Sequence, residues 1–349
     1  MAAQFTRLNA VMKPTPGPRP PSTPATGLTR RATLAWAALA VQAGSARAAP
    51  EVQDDTWRDT ARGRDIPVRL RWPAHPGPWP LLVYSHGLGG SRQGADAWGQ
   101  AWCEAGFLVL HLQHLGSDAE VLRRSGLAGL RAAGNGEQLI ARAADVRAVL
   151  DGAVRRQRDG DTRWTLVRLD AVGMAGHSFG ALTSLAVAGQ RHPMQGDLSD
   201  PRPRAFIALS PPSPNKRMSL QAQFGAIRRP VMLFTGSLDA DPFGGHQTGE
   251  PRARVYEGLP PGRRALLWLD GADHGSFGGS RELRSSSGRR FLNRAQSALA
   301  LEDTHHTLVA RLSTLWWRQH LLDDADAGTE FQAAPQQPRW SAGDRLTLG

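Results

Sequence analysis

A single cysteine, Cys103, is all that 349 residues contain. No internal disulfide can form and no cysteine-based metal site can be built, so the core alone must hold the fold. Cys103 sits in "DAWGQAWCEAGF", where it reads as a small buried apolar side chain on a helix. Long apolar runs are also missing. No stretch approaches the 18 or more residues of a membrane span. An apolar content of 40% is nonetheless ordinary for a globular chain of this size, which can bury a large core. No internal repeat is visible. Acidic residues are absent from the first 48 positions, which carry six basic ones, Arg7, Lys13, Arg19, Arg30, Arg31 and Arg47. The formal charge of +11 therefore misleads: beyond that segment 36 basic residues face 31 acidic ones, a balance of +5. The basic residues are nearly all arginine, a matter of composition. No basic block with interleaved aromatics stands out, so a nucleic-acid partner is not expected.

The first segment has its own logic. Residues 13–26, "KPTPGPRPPSTPAT", are too rich in proline for a helix or strand interior. Arg30 and Arg31 then follow Thr29, an apolar stretch runs from Ala32 to Ala43, and Ala46-Arg47-Ala48 offers a small-x-small cleavage site. Charged region, apolar region and cleavage site make a signal peptide, and the arginine pair points to the twin-arginine route of a bacterium. The expectation is a signal segment over 1–48 with a proline-rich leader, a catalytic domain over 49–327 and a loosely ordered tail over 328–349. Met12 is an alternative translation start. The mature chain, beginning at Ala49, is expected in the periplasm or outside the cell. No cysteine follows the cleavage point, so neither a lipid anchor nor stable membrane insertion is expected after processing.

Beyond residue 50 the apolar pattern alternates between two periods. "IPVRLRW" (66–72) alternates and reads as an antiparallel or edge strand. Continuous apolar runs at 80–85, 107–112, 171–176, 205–210, 230–236 and 265–271 read as strands covered on both faces. Helical spacing appears at 94–106, 135–157 (capped by Asn135), 180–190 and 307–322. Strands alternating with helices predict a mostly parallel central sheet with helices on both faces, whose functional residues gather at the carboxyl ends of strands. The connecting segments 113–133, 211–229, 240–250 and 275–300 are long enough to be pocket walls or lids.

The pentapeptide Gly176-His177-Ser178-Phe179-Gly180 fits Gly-x-Ser-x-Gly. Alone the pattern is weak. Here it lies between a predicted strand and a predicted helix, the context of a nucleophile elbow, where Gly176 and Gly180 let Ser178 project from a tight turn. A serine hydroxyl needs a base, and His274 in "LDGADHGSF" ends the strand 265–271. His86, His111 and His177 read better as loop-shaping or packed residues. His305 and His306 project in different directions, with no third ligand at metal spacing. The base needs an orienting carboxylate. Asp239 in "FTGSLDADP" follows the strand 230–236, with Asp241 as the second candidate, although Pro242 beside it suggests a turn. Asp273 adjoins His274 and is poorly placed to reach round to its ring. The run His86-Gly87-Leu88-Gly89-Gly90 follows the strand 80–85, and Gly87 lets backbone approach a ligand. The N–H groups of Leu88 and Phe179 are the candidates for an oxyanion hole. The chain order Ser178, Asp239, His274 is that of the α/β-hydrolase fold.

"TWRDTARGRDIPVRLRWP", "PLLVYSHGLGGSR", "AGHSFGA", "FTGSLDADP" and "LDGADHGSF" together resemble bacterial predicted dienelactone-hydrolase-like α/β hydrolases, platelet-activating-factor acetylhydrolases and bacterial polyester-cleaving cutinases. The resemblance covers roughly residues 55 to 325. It implies a serine esterase acting on carboxylic esters, small or polymeric, with no metal or organic cofactor. Two departures limit it. Dienelactone hydrolases use a cysteine where Ser178 stands, so their substrate does not carry over. In animal platelet-activating-factor acetylhydrolases the triad acid follows an earlier strand, yet "FIALSPPSPNK" has no acidic residue, which favours Asp239. An acyltransferase or peptidase on the same triad, or a non-catalytic binding protein on this fold, are the alternatives. The absence of a long apolar lid favours short or medium acyl esters.

Overall fold

Apolar residues in consecutive positions of a strand must face opposite sides of a sheet, so the continuous apolar runs demand a cover on each side. The computed structural model, which describes residues 50–280, 294–336 and 340–349, supplies both. In chain order its elements are β1 (Glu51–Asp59), β2 (Arg64–Trp72), β3 (Trp79–Ser85), α1 (Asp96–Glu104), β4 (Leu108–Leu112), α2 (Ala119–Ala132), α3 (Gly136–Arg158), β5 (Val167–His177), α4 (Phe179–Ala188) and β6 (Pro203–Leu209). Then come α5 (Leu220–Phe224), β7 (Val231–Leu238), α6 (Glu250–Ala253), α7 (Val255–Gly258), β8 (Arg264–Asp273), α8 (Gln296–Ala300), α9 (Glu302–Leu321), α10 (Ala325–Ala333) and β9 (Arg345–Leu348).

The strands form one sheet in the order β1-β2-β4-β3-β5-β6-β7-β8-β9. From β4 to β8 every pairing is parallel; β1, β2 and β9 run antiparallel to their neighbours at the two edges. The two faces divide by parity. On β3, Leu81 and Val83 join the side covered by α3 and α4, while Leu82 and Tyr84 join the side covered by α1, α9 and α10. Trp72, Trp79, Trp98, Trp102, Trp268, Trp316 and Trp317 are all buried, so the tryptophans serve the core. Cys103 is buried as well, and burial pushes its thiol up to about 12.

Two edges depart from expectation. β1, EVQDDTWRD, has one buried residue, Trp57, opposite Ile66 in β2. A strand wet on both faces carries no apolar period, so nothing in its sequence announces it. The tail expected to be loosely ordered is instead structured in its described part. Asp324 caps α10 by accepting from Ala327 N–H at 3.0 Å, and Phe331 packs on Trp316 at a ring separation of 5.6 Å. β9 then pairs with β8, Ala265 opposite Leu348 and Trp268 opposite Arg345, whose guanidinium lies over the indole at 4.9 Å. Backbone pairing holds the segment, aided by this stacking contact, by Asp344, which accepts from Asp270 N–H at 2.8 Å, and by Trp340 and Leu346, which pack on the core. Residues 119–132 of the first long connection form α2, kinked at Gly126. The segment expected to be a signal peptide and part of the connection over 275–300 lie outside the described residues, among which no helix is long and apolar enough to cross a membrane.

Candidate active site

Five segments end at the carboxyl edge of the sheet, with β7 and β8 running on past the level of β6, where Leu209 pairs with Phe234. Ser85 pairs with Gly176, His177 with Leu209, and Leu238 with Asp273. One residue past these pairs stand His86, Ser178, Ser210, Asp239 and His274, at the carboxyl ends of the adjacent strands β3, β5, β6, β7 and β8. Ser178 occupies the turn from β5 into α4 with φ 56 and ψ −117, a left-handed conformation costly for a residue with a Cβ. Its N–H donates to Leu209 O at 2.9 Å, which holds the turn. The glycines are obligatory. A Cβ on Gly180 would collide with the Ser85 carbonyl and come within 2.8 Å of His86 O; on Gly176 it would run into the Gly180 backbone. On Gly87 it would stand 3.3 Å from His177 Nδ1 and 3.4 Å from Ser178 Cβ, crowding the approach to the serine.

His274 Nε2 lies 3.0 Å from Ser178 Oγ, and His274 Nδ1 lies 2.9 Å from Asp239 Oδ1. Asp241 does not join them. Its carboxylate accepts from Phe243 N–H at 2.8 Å and closes a turn. Asp273 caps the short turn after β8 through Ser276 and pairs with Arg294 at 3.0 Å. Among the described residues no group of three potential metal ligands is present. Ser178, Asp239 and His274 thus stand together at strand ends of a mostly parallel sheet, in the chain order Ser, Asp, His. The chain has the α/β-hydrolase fold.

Comparison with known families agrees. Residues 65–123 match the family described as platelet-activating factor acetylhydrolase, isoform II. In this chain the matched stretch runs from β2 into α2 and contains the glycine loop after β3, but not Ser178. The match supports a serine esterase similar to that family. No curated protein matches the chain.

Other residues around Ser178, Asp239 and His274 were not legible in the sequence. Ser210 stands where β6 ends; its hydroxyl donates to Asp239 Oδ1 at 2.8 Å and lies 2.7 Å from His274 Nδ1. Thr235 donates to Asp239 Oδ2 at 2.8 Å. Arg252, on α6, lies 3.1 Å from Asp239 Oδ1 and also donates to the carbonyls of Asp239, Ala240 and Pro211. Burial alone would raise the Asp239 carboxyl, but Arg252, His274 and Ser210 outweigh it and hold the group below its ordinary value. His274 is lowered, first by burial and then by Arg252, against the pull of Asp239, so it is neutral near pH 7. His177, beside the serine, donates from Nε2 to the His274 carbonyl at 3.0 Å and tilts its ring against His274 at 4.7 Å. Burial drives His177 down to about 3, which keeps it uncharged. The only signal for such groups is position: each follows a strand or starts a helix near the elbow, and many residues do that without function.

Proposed function

We propose that the chain is an exported serine hydrolase that cleaves carboxylic esters through a covalent acyl-enzyme, with Ser178 as nucleophile, His274 as base and Asp239 as orienting acid. One observation carries the reading: the unbroken relay from Ser178 Oγ to His274 Nε2 at 3.0 Å and from His274 Nδ1 to Asp239 Oδ1 at 2.9 Å. With its proton on Nδ1, neutral His274 donates to Asp239 and offers Nε2 to the serine proton. Ser178 Oγ attacks the ester carbonyl and His274 takes the proton. The tetrahedral oxyanion is met by the N–H of Leu88 and of Phe179; the latter opens α4, where a helix has N–H groups without intrahelical partners. Collapse breaks the bond to the alkoxide, which leaves as alcohol with the His274 proton. Water, deprotonated by His274, then releases the acid and restores Ser178. The residues present need no metal or cofactor for these steps. The layout of residues 29–48 supports export to the periplasm by the twin-arginine route, and the substrates favoured are short or medium acyl esters.

Fluorophosphonate labelling of the periplasmic protein, read by mass spectrometry, tests the whole. The expected result is one adduct on Ser178 in a chain beginning at Ala49, none in Ser178→Ala, and none in His274→Ala. Ser178→Ala is expected to lower ester turnover by roughly four to six powers of ten. A folded Ser178→Ala protein that keeps a tenth of wild-type turnover removes the assignment.

A further inference from the structure

We propose that Arg142 is the positioning residue of the oxyanion hole: one buried guanidinium grips the carbonyls before Leu88 and lies over the ring of Phe179, the two residues whose N–H groups would meet the negative oxygen. The proposal rests on the serine-hydrolase reading above.

Arg142 projects from α3 and has no solvent exposure, so it cannot touch an ester. Its contacts go to the two halves of the site. Nη1 donates to His86 O at 2.7 Å and Nη2 reaches Gly87 O at 3.4 Å, which fixes the two residues before Leu88. The guanidinium carbon lies 4.3 Å from the centre of the Phe179 ring, beside Ser178. Nε donates to Ser117 Oγ at 2.9 Å, and Ser117 O in turn accepts from Gly89 N–H at 3.0 Å, which holds the far side of the Leu88 loop. A planar fork with donors on both edges and an apolar face can serve carbonyls and a ring together; a lysine ammonium cannot.

The rest of α3 supports the grip. Asp145 stands three residues on, one turn away on the same face. It is fully buried, lies 3.0 Å from His114 Nδ1, and pairs with Arg62 at 2.7 Å and Arg64 at 3.0 Å. His114 Nε2 lies 2.8 Å from Ser85 Oγ, and His114 N–H donates to His86 Nε2 at 2.9 Å. Burial pulls the Arg142 guanidinium down to about 9, against Asp145 and Asp118, so it stays charged at neutral pH. A charged group is carried into the interior beneath a loop whose carbonyls it aligns. Burying a charge is costly unless it is fully hydrogen-bonded, and here its donors are spent on the carbonyls that flank one candidate oxyanion donor. Oxyanion donors act only when held within a fraction of an ångström of the developing charge.

Arg142→Lys and Ser117→Ala, made in the full chain, test this with a p-nitrophenyl butyrate assay and a butyl trifluoromethyl ketone, whose hemiketal oxygen carries the charge the hole would meet. Arg142→Lys is expected to lower kcat by about 10- to 100-fold with KM changed less than about threefold. The ketone inhibition constant should rise by the same factor. Ser117→Ala is expected to move both in parallel by a smaller factor, and it keeps the question open to an answer if Arg142→Lys does not fold. A folded variant whose ketone affinity and kcat stay within about twofold of wild type overturns the proposal. So does a loss of kcat with ketone affinity unchanged, which would mark Arg142 as structural only. If the wild-type chain neither turns over the ester nor takes a fluorophosphonate on Ser178, the serine-hydrolase reading has failed, and this proposal with it.

Discussion

A carboxylate removed from water stays charged only if donors replace the water. Asp239 is fully buried, and Ser210, Thr235, His274 and Arg252 meet its two side-chain oxygens. Ser210 differs from the others because its oxygen also lies 2.7 Å from His274 Nδ1. It shares the imidazole proton with Asp239, and it stands at the end of β6, the strand whose end carries no acid here. Ser210→Ala removes one neutral donor and leaves Asp239 on His274, so kcat should fall by about 3- to 10-fold, the worth of one hydrogen bond. Asp239→Ala removes the orienting charge and should cost about 10⁴. Steady-state kinetics of the two variants separates the roles; an equal collapse in both would make Ser210 a direct partner in orientation. Asp239 and His274 were legible in the sequence because each follows a buried strand by one to three residues. Ser210 was not, because serine after a strand is common and only the sheet order brings β6 between β5 and β7.

At the scale of elements, the elbow shows how a strand, a turn and a helix depend on two missing side chains. α4 packs so closely beneath the loop after β3 that a Cβ at Gly180 would overlap the Ser85 carbonyl. Gly180→Ala must push α4 away from β3. An overpacked site of this kind costs about 1–3 kcal/mol, and the shift displaces Ser178 and Phe179 together. The expected outcome is a melting temperature lower by several degrees and an ester turnover below a hundredth of wild type. A variant with unchanged melting and turnover would show that the turn relaxes freely. The buried strands and long helices could be read because their apolar residues repeat with a period. β1 and β9 could not. Both lie at sheet edges, both are mostly exposed, and backbone pairing defines them.

Over the whole molecule, a feature no single element reveals is the number of histidines buried without charge. Burial takes His111 and His177 down to about 3, and His114 and His320 down to about 4, from an ordinary 6.5. Unfolding returns each to the ordinary value. Below about pH 6.5 the unfolded chain therefore binds protons that the folded chain refuses, and stability falls as pH drops. The contribution is complete above about 6.5 and is lost progressively toward 4 and 3. The melting temperature is expected to be flat between pH 7 and 8 and to decline steadily from about 6.5 to 4, as followed by circular dichroism. Equal melting at pH 7.5 and 4.5 would contradict the burial of neutral imidazoles.

Local pattern was enough to predict the parallel strands, the helices that cover them, and an ordered set of Ser178, a carboxylate after the strand 230–236, and His274. It could do so because these depend on local period and on short motifs that mark strand ends. Which carboxylate faces His274, which serine supports it, and which arginine holds the loop beside it were decided only by the tertiary structure. Those contacts join residues tens of positions apart. They depend on strand order, register and the angle at which α3 and α6 reach the sheet, and none of these leaves a periodic trace along the chain.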